Sequence, residues 1–256
     1  MHILLTNDDG IHAEGLRRLE AGLKESMPNA RISVCAPDRE QSASSHALTL
    51  TSPLRITRHG KDKYSVTGTP TDCVLLALRA IFEDELPELV ISGINHGPNM
   101  GEDILYSGTV AAAMEGTICG LPSIALSLGS RGLSEEEFET ADHLVREILP
   151  QWLERGLQGQ MLLNVNVPAK PLSAVKGMRV CKLGSRIYQD VITRKVDPRG
   201  KEYFWIGGDP LPQSDDESTD FGLLNSGWIT VTPLHLDMTD YKAMVQGEDL
   251  VRAWPK

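Results

Sequence analysis

Cysteine is scarce in this sequence, and long hydrophobic runs are missing. The 256 residues include four cysteines, which lie far apart in the chain and form no C-x-x-C pair. A disulfide scaffold and a cysteine-based zinc site are therefore not indicated, and we expect reduced, mostly buried thiols. No apolar stretch reaches the roughly 20 residues that cross a bilayer, and no cleavable leader is recognisable at the start. These features are typical of a cytoplasmic protein.

Basic residues are outnumbered, and the common nucleotide-binding motifs are missing. Lys and Arg together number 25 and Asp and Glu 35, so the net charge is −10. This balance argues against a nucleic-acid polymer or an anionic membrane as the main partner. The sequence has no P-loop, no G-x-G-x-x-G fingerprint and no G-x-S-x-G elbow. With 41% hydrophobic residues, the composition is that of a globular protein of one large or two small domains.

The first half of the chain alternates strand and helix patterns. The apolar run Ile3–Leu5 suits a strand that is buried on both faces, and leucines at i, i+3 and i+7 then predict a helix over about Glu14–Ser26. A second strand follows at Ile32–Cys35, and further core strands are predicted at Leu89–Ile91 and Ser123–Leu128. A strand–helix–strand unit needs a right-handed crossover and a parallel pair. The pattern therefore predicts an α/β protein with a mostly parallel sheet.

The last third of the sequence changes character and is rich in segments with strand propensity. These segments are Met178–Lys182, Tyr188–Ile192, Tyr203–Ile206 and Trp228–Thr232. A terminal helix is predicted over Asp240–Trp254. Because no repeat or clear linker is present, we expect a single domain over residues 1–256. Its core would cover about 1–170, and a β-rich extension with the terminal helix about 171–256.

Two adjacent carboxylates, Asp8 and Asp9, follow the first predicted strand directly. Ligands of open α/β sheets bind beyond the carboxyl ends of the strands. Two carboxylates whose Cα atoms are only ~3.8 Å apart repel each other unless a positive group lies near them. The simpler alternative is an Asp-Gly turn that caps the next helix, but one Asp would serve for that. The doubled Asp favours a cation site.

Two further side chains with oxygen atoms are expected at the same edge of the sheet. Ser42 lies in the polar loop after the second strand, and Asn95 lies in the glycine-rich loop after Leu89–Ile91. Together with Asp8 and Asp9 they form an all-oxygen set, which suits Mg²⁺ or Mn²⁺ and disfavours zinc. Taken singly, Ser42 could be a plain loop serine and Asn95 a turn residue that tolerates a positive φ.

A third feature of this edge is the start of a predicted helix at Ser107, Gly108 and Thr109. The N–H groups and hydroxyls of a helix start can hold a phosphate, although an ordinary N-cap is the commoner role of such residues. Neighbouring glycines and the predicted cation site favour the phosphate role. His46 and His96 lie in loops of the same edge, where a substrate contact and a plain surface position are both open.

Short blocks over nearly the whole chain form a combined pattern that is highly specific. They are Ile3–Gly10, Ala36–Arg39 with Ser42, Gly68–Cys73, Ser92–Asn95 with Gly97–Asn99, Tyr106–Gly116, Asn164–Pro168, Asp197–Gly200 and Thr232–Leu234. This pattern closely resembles the survival protein SurE family of metal-dependent nucleotidases. His96 stands inside one of the blocks at a position where the resemblance leads us to expect a smaller residue.

The resemblance implies a Rossmann-like three-layer α/β/α sandwich with a β-rich C-terminal extension. The resemblance also implies that one divalent cation per subunit, Mg²⁺ or Mn²⁺, is bound by Asp8, Asp9, Ser42 and Asn95. It further implies hydrolysis of nucleoside 5′- and 3′-monophosphates, with short polyphosphate as a substrate of some members. Because the family is cytoplasmic and oligomeric, we expect a homodimer or homotetramer with C-terminal elements packed between subunits.

The predicted chemistry is metal-assisted hydrolysis of a phosphomonoester. The cation activates the phosphoryl group and a water molecule, which Asp9, or Asp8 in its place, orients or deprotonates. Asn95 and the helix start stabilise charge on the phosphoryl oxygens. Two alternatives remain open: a metal-dependent nucleoside hydrolase, whose cation would hold ribose hydroxyls, and a nucleotide sensor without catalytic activity. The helix start argues against the first, and turnover of a simple phosphomonoester would exclude the second.

Overall fold

The structure is a computed structural model. It describes residues 1–132, 134–156, 161–185, 191–207, 216–244 and 247. The strands in these residues are β1 (His2–Thr6), β2 (Arg31–Pro37), β3 (Ile56–Gly60), β4 (Lys63–Val66), β5 (Leu89–Asn95), β6 (Ser123–Leu128), β7 (Leu162–Val167), β8 (Met178–Val180), β9 (Val191–Val196), β10 (Glu202–Gly207) and β11 (Ile229–Leu234). The α-helices are α1 (Glu14–Ser26), α2 (Pro70–Leu76), α3 (Gly108–Ile118), α4 (Glu135–His143), α5 (Leu149–Glu154) and α6 (Asp220–Asn225).

Wider helical turns extend two of these helices. Residues Ala77–Ile81 continue α2, and Leu144–Ile148 join α4 to α5 in one long helical segment. None of the helices in the described ranges has the length and the apolar character needed to cross a membrane.

β1 is an interior strand of the main sheet. In the described part of the chain this sheet has nine strands in the order β3-β4-β2-β1-β5-β6-β7-β11-β8. β1 pairs in parallel with β2 and β5, with Leu5 opposite both Val34 and Ile91. Among the described strands of this sheet, only the pairs β3–β4 and β7–β11 are antiparallel. The predicted α/β fold with a mostly parallel sheet is confirmed.

Successive residues of β1 enter two hydrophobic cores on opposite faces of the sheet. Ile3 and Leu5 pack in the core that contains Phe138 of α4 and the leucines of α1. Leu4 packs in the other core, with Val74 of α2. All of these side chains are fully buried, and each contributes ~1.5–3 kcal/mol of hydrophobic stabilisation. Helices therefore cover both faces of the sheet, which confirms the predicted three-layer α/β/α arrangement.

The helix α1 has the bounds that its leucine spacing predicts. Leu16, Leu19 and Leu23 are fully buried against the sheet. Gly15, on the same face, has no room for a side chain, because a Cβ atom there would lie 1.9 Å from the carbonyl oxygen of Ile94. α1 therefore lies directly against the carboxyl end of β5.

The C-terminal third is divided between the main sheet and a separate hairpin. β11 and β8 extend the main sheet beyond β7, whereas β9 and β10 form a two-stranded antiparallel sheet of their own. Residues 188–190 of the predicted strand Tyr188–Ile192 lie outside the described residues. Most of the predicted terminal helix Asp240–Trp254 also lies outside them. The division of the single domain near residue 170 stays a prediction.

The helix α6 was not expected from the sequence, and it begins with a buried carboxylate. Asp220 is fully buried and accepts three backbone N–H bonds, from Gly101 (2.8 Å), Gly184 (2.8 Å) and Phe221 (2.9 Å). Hydrogen bonds to a charged group contribute ~1.5–3 kcal/mol each. Asp220 thus ties the segment after β5 to the C-terminal third of the chain.

Candidate active site

The acidic turn after β1 holds both carboxylates at the edge of the sheet. Asn7 closes the turn, since its Nδ2 donates to the carbonyl of Gly10 (2.9 Å) and its Oδ1 accepts the N–H of Gly10 (3.2 Å). Asp8 is buried and Asp9 is partly exposed. Because β1 lies between β2 and β5, the loops that leave these two strands border the carboxylates on either side.

The N-terminus of α3 points at Asp8. Thr109 donates its hydroxyl to Asp8 Oδ1 (2.5 Å) and its backbone N–H to Asp8 Oδ2 (3.1 Å). Ser107 is the N-cap, and its Oγ accepts the N–H of Val110 at 3.1 Å. A helix N-terminus favours a nearby anion by ~0.3–1 kcal/mol. The anion that α3 contacts here is a side chain of the protein itself.

Gly108 permits this close approach. A Cβ atom at this position would lie 2.8 Å from Asp8 Cβ and 2.7 Å from Ser44 Oγ, well inside the separation at which non-bonded atoms attract. Ser44 Oγ is buried and has no hydrogen-bond partner in the described part of the chain. Sequence reasoning did not single out Ser44, because a serine in a serine-rich loop carries no distinguishing signal.

Burial shifts the titration of both carboxyl groups. It raises the pKa of Asp8 to about 6, because the carboxylate loses its hydration in the interior, while hydrogen bonds from Thr109 lower it. The neighbouring charge of Asp9 raises the pKa of Asp8 further. Burial also raises the pKa of Asp9, where His96 acts in the opposite direction. The pair is therefore costly to ionise without a positive partner.

His96 lies beside Asp9. Its backbone N–H donates to Asp9 Oδ2 at 3.3 Å, and its ring Nδ1 lies 3.8 Å from Asp9 Oδ1. The second ring nitrogen, Nε2, accepts the backbone N–H of Gly15 at 3.3 Å. Of the two histidines considered from the sequence, His96 therefore faces the acidic pair. His46 instead forms a hydrogen bond with Glu115 (2.9 Å).

Asn95 lies next to Thr109, which binds Asp8, whereas the side chain of Ser42 binds Glu40 instead. The Asn95 Oδ1 atom lies 3.3 Å from the hydroxyl of Thr109, and Nδ2 donates to the carbonyl of Gly97 (2.7 Å). Ser42 is exposed, and its hydroxyl donates to Glu40 Oε1 at 2.7 Å. The structure thus joins Asp8 and Asn95 through the hydroxyl of Thr109, and it joins Asp9 to His96, the residue that follows Asn95.

The loop that carries Ser42 nevertheless borders the site through its backbone. The N–H of Gln41 donates to the carbonyl of Asp8 at 2.7 Å. Further along, the N–H of Ser45 donates to the carbonyl of Tyr106 at 3.1 Å, next to the start of α3. The loop is therefore attached to both the acidic turn and the helix start, and the role of Ser42 as a ligand stays a prediction.

Buried asparagine side chains anchor the segment between β5 and α3 to the neighbouring strands β6 and β7. The backbone N–H of Asn99 donates to Asn166 Oδ1 and its side chain donates to Ser127 Oγ, both at 2.8 Å. Asn164 and Asn166 donate to the carbonyl of Asn99 at 2.8 and 3.0 Å. Two asparagines at i and i+2 in a buried strand were a usable signal for such a network, because buried amides need partners.

The donor set at this edge fits a hard divalent cation. Two carboxylates and a carboxamide oxygen lie at this edge, and among the described residues neither Asp8 nor Asp9 forms an ion pair with Lys or Arg. The described ranges contain no group of three or more His, Cys, Asp or Glu side chains that could hold a metal. Mg²⁺ does not require one, since it is commonly bound by one or two carboxylates together with water and substrate phosphate.

Comparison with known proteins assigns this arrangement to a family. A family model described as "Survival protein SurE" matches residues 3–190. The chain belongs to the SurE family. The resemblance drawn from the sequence motifs is thereby confirmed. A crystal structure of the SurE protein from Aquifex aeolicus has a TM-score of 0.84 to this chain at 42% identity, and the match covers 98% of this chain and 99% of that one.

SurE proteins from other bacteria match over nearly their full length. A protein named 5′-nucleotidase SurE from Vibrio cholerae is 44% identical over 244 residues, which cover 95% of each chain. Another of that name, from Gemmatimonas aurantiaca, is 49% identical over 241 residues, which cover 93% of this chain and 94% of that relative. The family model covers the acidic turn and the start of α3, and the matches to these relatives extend into the C-terminal third.

The raised pKa of Asp8 predicts a specific dependence of stability on pH. A carboxyl whose pKa is higher in the folded state stabilises the fold when protonated, and that stability is lost as the pH rises from about 4 to about 6. For metal-free protein in EDTA, we expect the free energy of unfolding to fall across this range by roughly 2 kcal/mol relative to Asp8→Asn. Urea unfolding at a series of pH values measures this difference.

An exposed carboxylate provides the control for this measurement. Asp84→Asn should follow the wild-type pH profile, because Asp84 is exposed. Parallel profiles for wild type and Asp8→Asn would contradict the shift at Asp8.

Proposed function

We propose that this chain is a divalent-metal-dependent nucleotidase that hydrolyses nucleoside 5′- and 3′-monophosphates to nucleoside and phosphate, and that also cleaves short polyphosphate. The observation that carries the proposal is the contact of Asp8 with the N-terminus of α3, beside Asp9. The name 5′-nucleotidase SurE, carried by relatives at 44–49% identity, supports the activity. For one Mg²⁺ or Mn²⁺ per subunit, the proposed ligands are Asp8, Asp9, Ser42 and Asn95.

The side chains of the site have distinct proposed roles. When bound, the cation supplies Lewis-acid activation of the phosphoryl group and of water. Asp9 orients or deprotonates the attacking water, since Asp9 is partly exposed whereas Asp8 is buried. Asn95 commits its Nδ2 to the carbonyl of Gly97, which leaves Oδ1 as the atom for the cation.

The start of α3 is the proposed phosphate site. Ser107, Gly108 and Thr109 present hydroxyl and N–H groups at the helix end, where negative charge is favoured. The hydroxyl of Thr109 can donate its proton to Asp8 or to a phosphoryl oxygen, but not to both. A nucleoside hydrolase would instead need polar groups around the ribose and the departing base, and nothing in the described site favours it over the nucleotidase.

The reaction products separate the nucleotidase from a nucleoside hydrolase. Given AMP and Mn²⁺, the protein should release adenosine and inorganic phosphate, with no adenine or ribose 5-phosphate, because the helix end and a cation held by the acidic pair both attract a phosphoryl group. EDTA should stop the reaction, and Mn²⁺ or Mg²⁺ should restore it. Chromatography of the products decides the question: free adenine would contradict the nucleotidase, and no product at all would favour a sensor.

Substitution of either carboxylate tests the metal site. Asp8→Asn and Asp9→Asn should each lower turnover of AMP by at least about 100-fold, because each removes a charge that the cation and the water require. Both variants should remain folded, since loss of one charge relieves repulsion within the pair. Steady-state kinetics with circular dichroism measures both properties, and the exposed Asp84→Asn serves as control. Near-normal turnover in either variant would remove that carboxylate from the site.

We also propose a cytoplasmic homodimer or homotetramer whose subunits meet through C-terminal elements. The hairpin of β9 and β10 exposes Phe204 (55%), Trp205 (64%) and Ile206 (92%), and neighbouring residues of a strand point to opposite faces. A two-stranded hairpin with apolar groups on both faces is marginal alone in water. A cytoplasmic location fits the four free cysteines.

The terminal segment after Asp240 is expected to contribute to this assembly. It carries Met244, Val245, Leu250, Val251 and Trp254, too much apolar surface for a free tail. A chain that ends at Asp240 should therefore lose its dimer, and light scattering during gel filtration measures the mass of both forms. An unchanged mass for the shortened chain would remove the segment from the interface.

A further inference from the structure

Each oxygen of the Asp9 carboxylate faces a different N–H group of His96. The backbone N–H donates to Oδ2 at 3.3 Å, which is a long hydrogen bond. The ring Nδ1 lies 3.8 Å from Oδ1, too far for a hydrogen bond but close enough for electrostatic attraction. The two contacts come from one residue and act on the two ends of one carboxylate. They therefore define the direction in which that carboxylate points.

The far side of the His96 ring determines which nitrogen carries the proton. Nε2 accepts the backbone N–H of Gly15 at 3.3 Å, so this nitrogen must present a lone pair. In the neutral imidazole the proton is then on Nδ1, the nitrogen that faces Asp9. The ring thus offers Asp9 a donor.

The ring of His96 is held by elements other than Asp9. It packs nearly perpendicular to the ring of Phe138, with centroids 6.2 Å apart and an interplanar angle of 83°. Phe138 is fully buried, and the side chain of His96 is only 18% exposed. Gly15, on the other side, is fixed because α1 lies against the carbonyl of Ile94. The donor is therefore in place before any ligand arrives.

We propose that His96 is a positioning residue that holds the Asp9 carboxylate in the orientation required for cation binding and for action on the attacking water. The inference rests on the proposed function, because it assigns His96 a task in that same site. The backbone N–H of His96 hydrogen-bonds one Asp9 oxygen, and its ring nitrogen Nδ1 attracts the other across 3.8 Å. Loss of a group that orients a metal-ligating carboxylate typically weakens metal binding by ~10–100-fold. His96 acts through Asp9 and makes no contact with substrate in this proposal.

Two substitutions separate the N–H group from the ring that carries it. In His96→Asn, the amide Nδ2 can take the place of Nδ1, so the donor is kept and the packing on Phe138 is lost. In His96→Phe, the ring and its packing are kept and the donor is lost. Both variants retain the backbone N–H that bonds Asp9 Oδ2. The pair therefore distinguishes a positioning role from a packing role.

The measurements are the Mn²⁺ dissociation constant by calorimetry, without substrate, and kcat and KM for AMP at saturating Mn²⁺. We expect His96→Phe to weaken Mn²⁺ binding by ~10-fold or more and to lower kcat by a similar factor, with KM changed less than about threefold. His96→Asn should stay within about threefold of wild type on all three quantities. Thermal unfolding confirms that both variants are folded.

The opposite pattern overturns the proposal. If His96→Asn is as impaired as His96→Phe, or more so, the ring matters for its packing and the donor does not. If His96→Phe binds Mn²⁺ like wild type, Asp9 needs no help from His96. If wild type releases no phosphate from AMP, the proposed function fails, but the Mn²⁺ affinities of the three proteins still decide the role of His96.

Discussion

The burial of the Asp8 carboxylate constrains the rest of the site. A carboxylate loses several kcal/mol of hydration on entering a protein interior, and this loss must be offset by donors. Two of the donors come from Thr109 at the start of α3. The contact requires a glycine at position 108, and it requires α3 to begin next to the carboxyl end of β1. The position of the helix, the glycine and the acidic turn are therefore consequences of one buried charge.

Much of this arrangement follows from the sequence, because two periodicities and one topological rule determine it. The run Ile3–Leu5 and the leucine spacing of α1 fixed the first strand and helix, and the strand–helix–strand unit fixed a parallel pair. Parallel strands bring their carboxyl ends to the same edge. Asp8, Asp9 and Asn95 could thus be placed together although they are separated in the chain, and the structure brings them into contact through Thr109 and His96.

The features that the sequence did not reveal depend on backbone groups and on local rotamers. Asp220 binds backbone N–H groups, and every residue except proline has one, so no residue pattern marks its partners. The sequence also does not predict that β11 runs antiparallel to β7, because the apolar pattern of a strand does not encode its direction. The hydroxyl of Ser42 donates to Glu40, and this orientation depends on a neighbouring side chain in an irregular loop, which no sequence pattern predicts.

The anchors of the active-site segment have a consequence for the order in which the protein matures. Asn166 is 67 positions beyond Asn99, and Asp220 is 119 positions beyond Gly101. During synthesis, every residue proposed to bind metal or phosphate leaves the ribosome well before either anchor exists. Contacts this distant in the chain form late in folding. The nascent N-terminal half therefore carries the complete set of proposed ligands before the anchors of Asn99 and Gly101 exist. The segment between β5 and α3 gains its last contacts only when Asp220, in the last third of the chain, has docked.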